Sequence, residues 1–142
     1  MLGSFQFNDF IIKNIEYKAK PLTKEETIED GLSFAYNLAN DENEYKLSIL
    51  TKIISRQGNH VLDINIEVRG VFTFEPDSEI SCEEKKEIIK ENGSAIIYPY
   101  IRSLIYNLTS ADTQNTPIIL PTINFHSVIN DIDKDEEIKC DE

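Results

Sequence analysis

Apolar and polar residues alternate most cleanly between positions 62 and 74, where Leu62, Ile64, Ile66, Val68, Phe72 and Phe74 fall on one side of an extended chain and Asp63, Asn65, Glu67 and Arg69 on the other. A period of two marks a half-buried strand. Gly70 lies on the apolar side, where a missing side chain lets a helix approach. The same period links Leu32, Phe34, Tyr36 and Leu38 against Ser33, Ala35 and Asn37. It returns from Tyr45 to Arg56, with Tyr45, Leu47, Ile49 and Ile53 on one face and Leu50 and Ile54 on the other. Turns are predicted at Asn-Asp-Glu-Asn 40–43 and Gln-Gly-Asn 57–59. Residues 5–18 are rich in aromatic and β-branched types and predict a further strand, broken or bulged near Asn8 and Asp9. Plain alternation puts Phe5 and Phe7 on one face but Phe10 and Ile12 on the other, which suggests apolar partners on both sides, a second subunit among them. The polar stretch 19–31, punctuated by Pro21 and Gly31, has the length of a crossover rather than a hairpin.

Helical spacing begins beyond Pro76. Ser81-Cys-Glu-Glu84 has the form of a capping box and predicts a short charged helix to about Lys90. Asn92-Gly93 reads as its stop and Ser94 as the cap of the next helix. That longer helix carries Ile97, Ile101, Leu104, Ile105 and Leu108 on one stripe, with Arg102, Ser103 and Asn107 off it. Pro99 predicts a kinked first turn or a later start. Residues 111–116 are a polar loop. Pro-Ile-Ile-Leu-Pro at 117–121 is apolar but too interrupted for a central strand, and Phe125, Val128, Ile129 and Ile132 predict a short amphipathic helix capped by Asn124. The expected fold class is α+β: a four-stranded antiparallel sheet with a long helix and short helices packed on one face. It forms one domain over 1–132, followed by an acidic disordered tail over 133–142.

Length and composition add limits. A chain of 142 residues, 40% hydrophobic, can bury a real core in one domain. Its 26 acids against 14 bases give a net charge of −12 without a basic cluster, which argues against nucleic acid and anionic membranes as partners. No apolar run has the roughly 20 residues of a membrane span and the start lacks a signal-peptide pattern, so a cytoplasmic protein is expected. Two cysteines, Cys82 and Cys140, are too few for a disulfide framework and are read as reduced thiols. His60 and His126 lack neighbours at metal-ligand spacing, and no nucleotide, dinucleotide or nucleophile-elbow motif occurs. Neither catalysis nor a metal or cofactor is expected. The informative surface is apolar: Phe125 and the segment 117–121 are its candidates, and the short helix after that segment is placed to act as a flap over a groove.

Gly70-Val-Phe72, then Asn92-Gly-Ser-Ala-Ile-Ile-Tyr-Pro-Tyr-Ile-Arg102, then Leu120-Pro-Thr-Ile-Asn-Phe125, resemble in order and spacing the motifs of the SecB protein-export chaperones. The resemblance covers about residues 5–129, mostly as pattern outside those motifs. It implies a dimer of dimers, a homotetramer, that holds unfolded or nonnative polypeptides in hydrophobic grooves without nucleotide. Carried over, the groove contacts are Tyr17, Phe34, Tyr36, Ile118, Leu120, Phe125, Val128 and Ile129, and Tyr100, Leu104 and Leu108 lie between dimers. Family members that dock on the SecA motor present acids where this chain has Asn14, Lys18 and Asn65, and its tail lacks their basic, glycine-containing ending. The resemblance therefore does not carry SecA docking with it. It leaves two functions, a general holdase that could serve protein export, and a chaperone dedicated to a narrow client such as the antitoxin of a toxin–antitoxin pair.

Overall fold

A computed structural model describes residues 5–23, 28–123 and 134–137. Four long strands, β1 (Phe5–Pro21), β2 (Gly31–Asp41), β3 (Glu44–Gln57) and β4 (His60–Phe74), form an antiparallel sheet in the order β1-β4-β3-β2. β1 and β2, consecutive in the chain, therefore lie three strands apart in the sheet, as the crossover length of their connection indicated. The two hairpins turn on residues with positive φ, Glu42 at 54° and Gly58 at 65°. Such values suit the tight turns that match strand twist.

β1 departs from simple alternation, and the physical reason is visible in its register. Pairing with β4 shifts between Phe7 and Asp9 and again between Ile12 and Asn14. Each extra residue in a bulge reverses which side chains face which way. The predicted irregularity near Asn8 is present, and with the second bulge it places Phe5, Phe7, Phe10, Ile12, Ile15 and Tyr17 opposite Phe74, Phe72, Gly70, Val68, Ile66 and Ile64. These partners line the apolar face of β4, so the strand has one apolar face, not the two that the sequence suggested. Ile12 and Ile15 nevertheless stay 47% and 37% exposed, because β1 is an edge.

The helical region is one continuous helix of 30 residues rather than a short and a long helix. The capping box is real: Ser81 Oγ accepts from the Glu84 amide at 3.2 Å at the start of α1 (Cys82–Ile88). A wide π turn, Ile89–Gly93, then runs straight into α2 (Ser94–Ala111). Gly93 is helical, with φ −62° and ψ −44°, and does not terminate anything. It is small because of what it touches, since a Cβ there would stand 3.2 Å from Phe72 Cζ and 3.3 Å from Leu47 Cδ2. Ser94 caps no helix and is buried. Buried positions recur every four residues, at 85, 89, 93, 97, 101, 105 and 109. In a straight α-helix such a row rotates by about 40° per step. The wide turn rotates it back and keeps the row on the sheet. Pro99 is accommodated inside α2 with its ring exposed.

The core lies between this helix and the sheet, with Tyr45, Leu47, Leu62, Ile64, Ile66, Phe72, Ile89, Ile97, Ile101 and Ile105 nearly inaccessible. Gly70 sits under the helix as expected. It admits a side chain rather than backbone: a Cβ there would be 2.6 Å from Ile97 Cδ1.

Two further expectations are corrected. Within 133–142, read as a disordered tail, β5 (Lys134–Glu137) pairs parallel with β2 at Tyr36–Ala39. Backbone groups on an open sheet edge accept a strand with little regard to its side chains, which is why composition missed it. Cys82 is disulfide-bonded, not a reduced thiol. The predicted helix 124–132, with Phe125, His126, Val128 and Ile129, and Cys140 lie outside the described residues.

Candidate polypeptide-binding site

The loop after α2 is pinned before it reaches the proline segment. Asp112 starts an Asx turn, its Oδ1 accepting from the Gln114 amide at 3.0 Å. Its Oδ2 accepts from the Tyr17 hydroxyl at 3.1 Å, and Asn115 Nδ2 donates to that same hydroxyl at 2.7 Å. His60 Nε2 stands 2.7 Å from Asn115 Oδ1, so this nitrogen carries the proton. The amide of Gln114 is the main reason that the Asp112 carboxyl is held below its usual range. Burial, followed by the adjacent Asp112, pushes the Tyr17 hydroxyl up.

The segment 116–123 is held along the helix by successive anchors. Gln57 clamps Thr116, accepting from its amide at 3.0 Å and donating to its carbonyl at 3.4 Å. The Ile118 amide donates to Thr109 Oγ1 at 2.9 Å, and Thr109 in turn donates to the Ile105 carbonyl at 2.8 Å. Leu120 plugs into the core, and the Tyr98 hydroxyl donates to the Pro121 carbonyl. Tyr98 also meets Phe34 of β2 edge-on, with ring centroids 6.1 Å apart. It therefore joins the proline segment to the sheet. Ile119, between these anchors, is 73% exposed.

Set against the sequence expectations, the structure brings Phe34, Tyr98 and the segment 117–121 together, with Ile118 and Ile123 half-buried beside them. Tyr36 and Leu120, each 4% exposed, belong to the core and offer little surface. Tyr17 is on β1, three strands across the sheet from β2, and its role is to fasten the 112–115 loop. Tyr98 is not on the apolar stripe that Ile97, Ile101, Leu104, Ile105 and Leu108 mark on this helix. It is nevertheless buried, covered by Phe34 and by the segment that its hydroxyl holds at Pro121. Of the residues expected between dimers, Tyr100 is 45% exposed and stacks on Phe10 at 4.6 Å, whereas Leu104 and Leu108 are half-buried against the core. Asn14, Lys18 and Asn65 share one sheet face: Asn14 pairs with Glu67, Glu16 with Asn65 and Lys18 with Asp63. Among the described residues there is no group of three or more His, Cys, Asp or Glu placed to hold a metal, and no helix long and apolar enough to cross a membrane.

Burial, partly offset by Arg102, raises the Tyr98 hydroxyl above its ordinary value near 10. Because the folded value is the higher one, the contribution is complete below pH 10 and is lost as pH rises through the folded value. A phenolate cannot donate to Pro121. Stability to urea should therefore fall above about pH 10, and Tyr98→Phe should flatten that decline while costing about 1 kcal/mol at neutral pH through the lost hydrogen bond. An unchanged alkaline slope in the variant would remove Tyr98 as an anchor.

No family model matches the chain. An uncharacterized protein of Methanocaldococcus jannaschii, MJ0357, is 27% identical over 142 residues, spanning 96% of this chain and 87% of that protein. The protein-export protein SecB of Anaplasma phagocytophilum is 32% identical over 63 residues, 44% of this chain and 39% of SecB. Among solved structures, the Mycobacterium tuberculosis SecB-like chaperone Rv1957, in complex with a ChAD peptide from the Rv1956 HigA1 antitoxin, superposes with a TM-score of 0.67 at 18% identity, covering 84% of this chain and 90% of that one. A Streptococcus agalactiae protein of unknown function gives 0.50 at 15% identity, covering 84% and 98%. In fold, and in that 63-residue stretch of sequence, the chain is SecB-like.

Proposed function

We propose that this chain is a holdase that binds unfolded or nonnative polypeptide on the apolar surface formed by Phe34, Tyr98 and the segment 117–121, by contact alone and without nucleotide. The observation that carries the reading is the exposure of Ile119 on a backbone fixed at Thr116, Ile118, Leu120 and Pro121. An apolar side chain displayed on a rigid, pre-ordered strip binds without paying for its own ordering. Phe125, Val128 and Ile129 extend this surface in the proposal. Suppression of aggregation of a chemically unfolded protein in nucleotide-free buffer tests it, and a protein that leaves aggregation unaffected is not a holdase.

A second reading, a chaperone dedicated to one client such as an antitoxin, is favoured by the antitoxin peptide bound to the SecB-like chaperone of M. tuberculosis. Clients copurified from cells distinguish the two, a single dominant protein supporting the second.

The reading includes a homotetramer. Ile12 and Ile15, exposed on the β1 edge, and Tyr100 on the helix are the surfaces that self-association would cover. Light scattering should give about four times the 16.3 kDa chain mass, and a strict monomer at micromolar concentration would contradict it.

Docking on SecA is expected to be weak. The face that carries Asn14, Lys18 and Asn65 has Glu16, Asp63 and Glu67 interleaved with Lys18 and Lys20, and Lys20 Nζ already lies 3.5 Å from Asp63. A mixed-sign patch steers a charged partner poorly, because charges elsewhere are screened beyond roughly 8 Å. Asn14→Asp with Lys18→Glu should strengthen binding to SecA, most at low salt, as read by calorimetric titration. Submicromolar, salt-sensitive binding by the unmodified chain would restore an export role.

A further inference from the structure

Where β2 turns into β3, the chain faces the start of α1 across a cleft of about 380 Å³ whose walls include Glu42, Asn43, Tyr45, Ile80, Cys82 and Lys85. Lys85 is only 9% exposed. A charge placed so deeply is normally matched by an opposite one, because burying it alone is costly. Here the compensation is partial. Lys85 Nζ donates to Asn43 Oδ1 at 2.9 Å and stands 5.4 Å from the centre of the Phe74 ring. Both contacts are favourable, but neither cancels the charge. Among the described residues no carboxylate lies within ion-pair distance of Lys85, and of the three donors of an ammonium one is used at Asn43. Phe74 brings a second donor to the same place. The Tyr45 ring meets it edge-on, with centroids 5.5 Å apart, and Tyr45 is 1% exposed. Its hydroxyl lies 3.8 Å from Cys82 Sγ, another wall of the cleft. Cys82 is disulfide-bonded, so its sulfur carries no hydrogen and the hydroxyl is the donor. Sulfur is a weak acceptor. Burial, followed by the nearby Glu83, pushes the Tyr45 hydroxyl up from its ordinary value, which keeps the proton in place at neutral pH.

We propose that this cleft binds a small monocarboxylate, whose oxygens accept from Lys85 Nζ and from the Tyr45 hydroxyl while its hydrocarbon part lies against Ile80. Two buried donors that line one cleft and are satisfied only in part call for an acceptor, and a carboxylate gives each of them an oxygen. Charge selects the class. One ammonium matches one negative charge, whereas a dianion also meets repulsion from two exposed carboxylates, Glu42 in the wall and Glu83 close enough to act on Tyr45. The bound acid joins the turn after β2 to the first turn of α1 and so stabilises the fold by mass action. Neither Phe34 nor the segment 117–121 is among the described residues of this cleft, so the site stands apart from the polypeptide surface and does not depend on the holdase reading.

The test uses the full chain with its disulfide intact. Sodium acetate, titrated against sodium chloride at equal ionic strength, should move the Asn43 side-chain amide signals in a proton–nitrogen NMR spectrum along a saturating curve. The Kd should be on the order of millimolar, as suits so small a ligand. The melting temperature should rise over the same range. Inorganic phosphate at equal ionic strength should do neither. Lys85→Met keeps the length of the side chain and removes its charge, and should weaken acetate on the order of tenfold or more; Tyr45→Phe, which removes one donor, should weaken it several-fold. No saturating response in the parent, an equal response in Lys85→Met, or phosphate binding as tight as acetate would overturn the site. If Lys85→Met does not fold, Tyr45→Phe decides in its place, and unchanged acetate affinity there overturns the site as well. A blocked Gly-Glu-Gly peptide should bind no better than acetate. Tighter binding of that peptide would overturn the small-molecule assignment and give the cleft to acidic side chains of a polypeptide instead.

Discussion

Replacing Phe72 by alanine should cost about 3–5 kcal/mol of folding stability, the range for emptying a fully buried aromatic site. Phe72 is inaccessible, and its ring is packed by Phe7 at 5.2 Å and Phe5 at 5.8 Å. It also sets the size of two glycines, since a Cβ at Gly70 would stand 2.9 Å from Cε2 and a Cβ at Gly93 3.2 Å from Cζ. The second relation makes the prediction more specific than a cavity estimate. Gly93→Ala alone sets a gain of up to about 1 kcal/mol in helix propensity against a tight contact with Phe72 and Leu47. In a Phe72→Leu background the ring contact is gone and only the Leu47 contact is left to set against the gain. A double-mutant cycle by urea denaturation should therefore show a favourable coupling of about 1 kcal/mol, and strict additivity would mean that Gly93 is small for some other reason.

The second large effect concerns the site. Phe34→Ser together with Ile119→Ser should weaken suppression of aggregation by roughly 30-fold, corresponding to about 2 kcal/mol for two apolar anchors. Ile119 is 73% exposed and fills no cavity, so its contribution should leave the melting temperature nearly unchanged. Phe34 touches Tyr98 and should lower it slightly. Loss of activity with the fold intact locates the client on this surface. If the double variant holds unfolded protein as well as the parent, the apolar strip is simply part of the domain's packing.

Much of the fold was legible because its central strands obey a period of two without interruption, and β4 announced its inner face residue by residue. The first strand did not, because bulges at Asn8 and Lys13 reverse the phase and alternation cannot count an unpaired residue. The same failure recurred in the helix. Asn92-Gly93 looks like a stop only if Gly93 is needed for a left-handed backbone, whereas its size is set by Phe72 across the sheet. That contact is long-range and leaves no local signal. The site was half legible: Phe34 and the segment 117–121 came from pattern and resemblance, but the residue that joins them, Tyr98, does so through long-range contacts to Phe34 and Pro121 that leave no local signal. The loop anchors, Tyr17, Asp112, Asn115 and His60, meet only through tertiary folding, and the polar run 111–116 read as unremarkable loop.

The claim that this surface holds nonnative chain is tested most directly by photo-crosslinking from within it. A photoreactive side chain is placed at position 119, or at Glu67 on the opposite sheet face as the control. Each protein is mixed, without nucleotide, with reduced, carboxymethylated lactalbumin and with the same protein native. The expected result is a crosslink from position 119 to the unfolded form alone. Absence of any crosslink from 119, or equal yields from 119 and 67, would contradict the assignment of this face as the binding site.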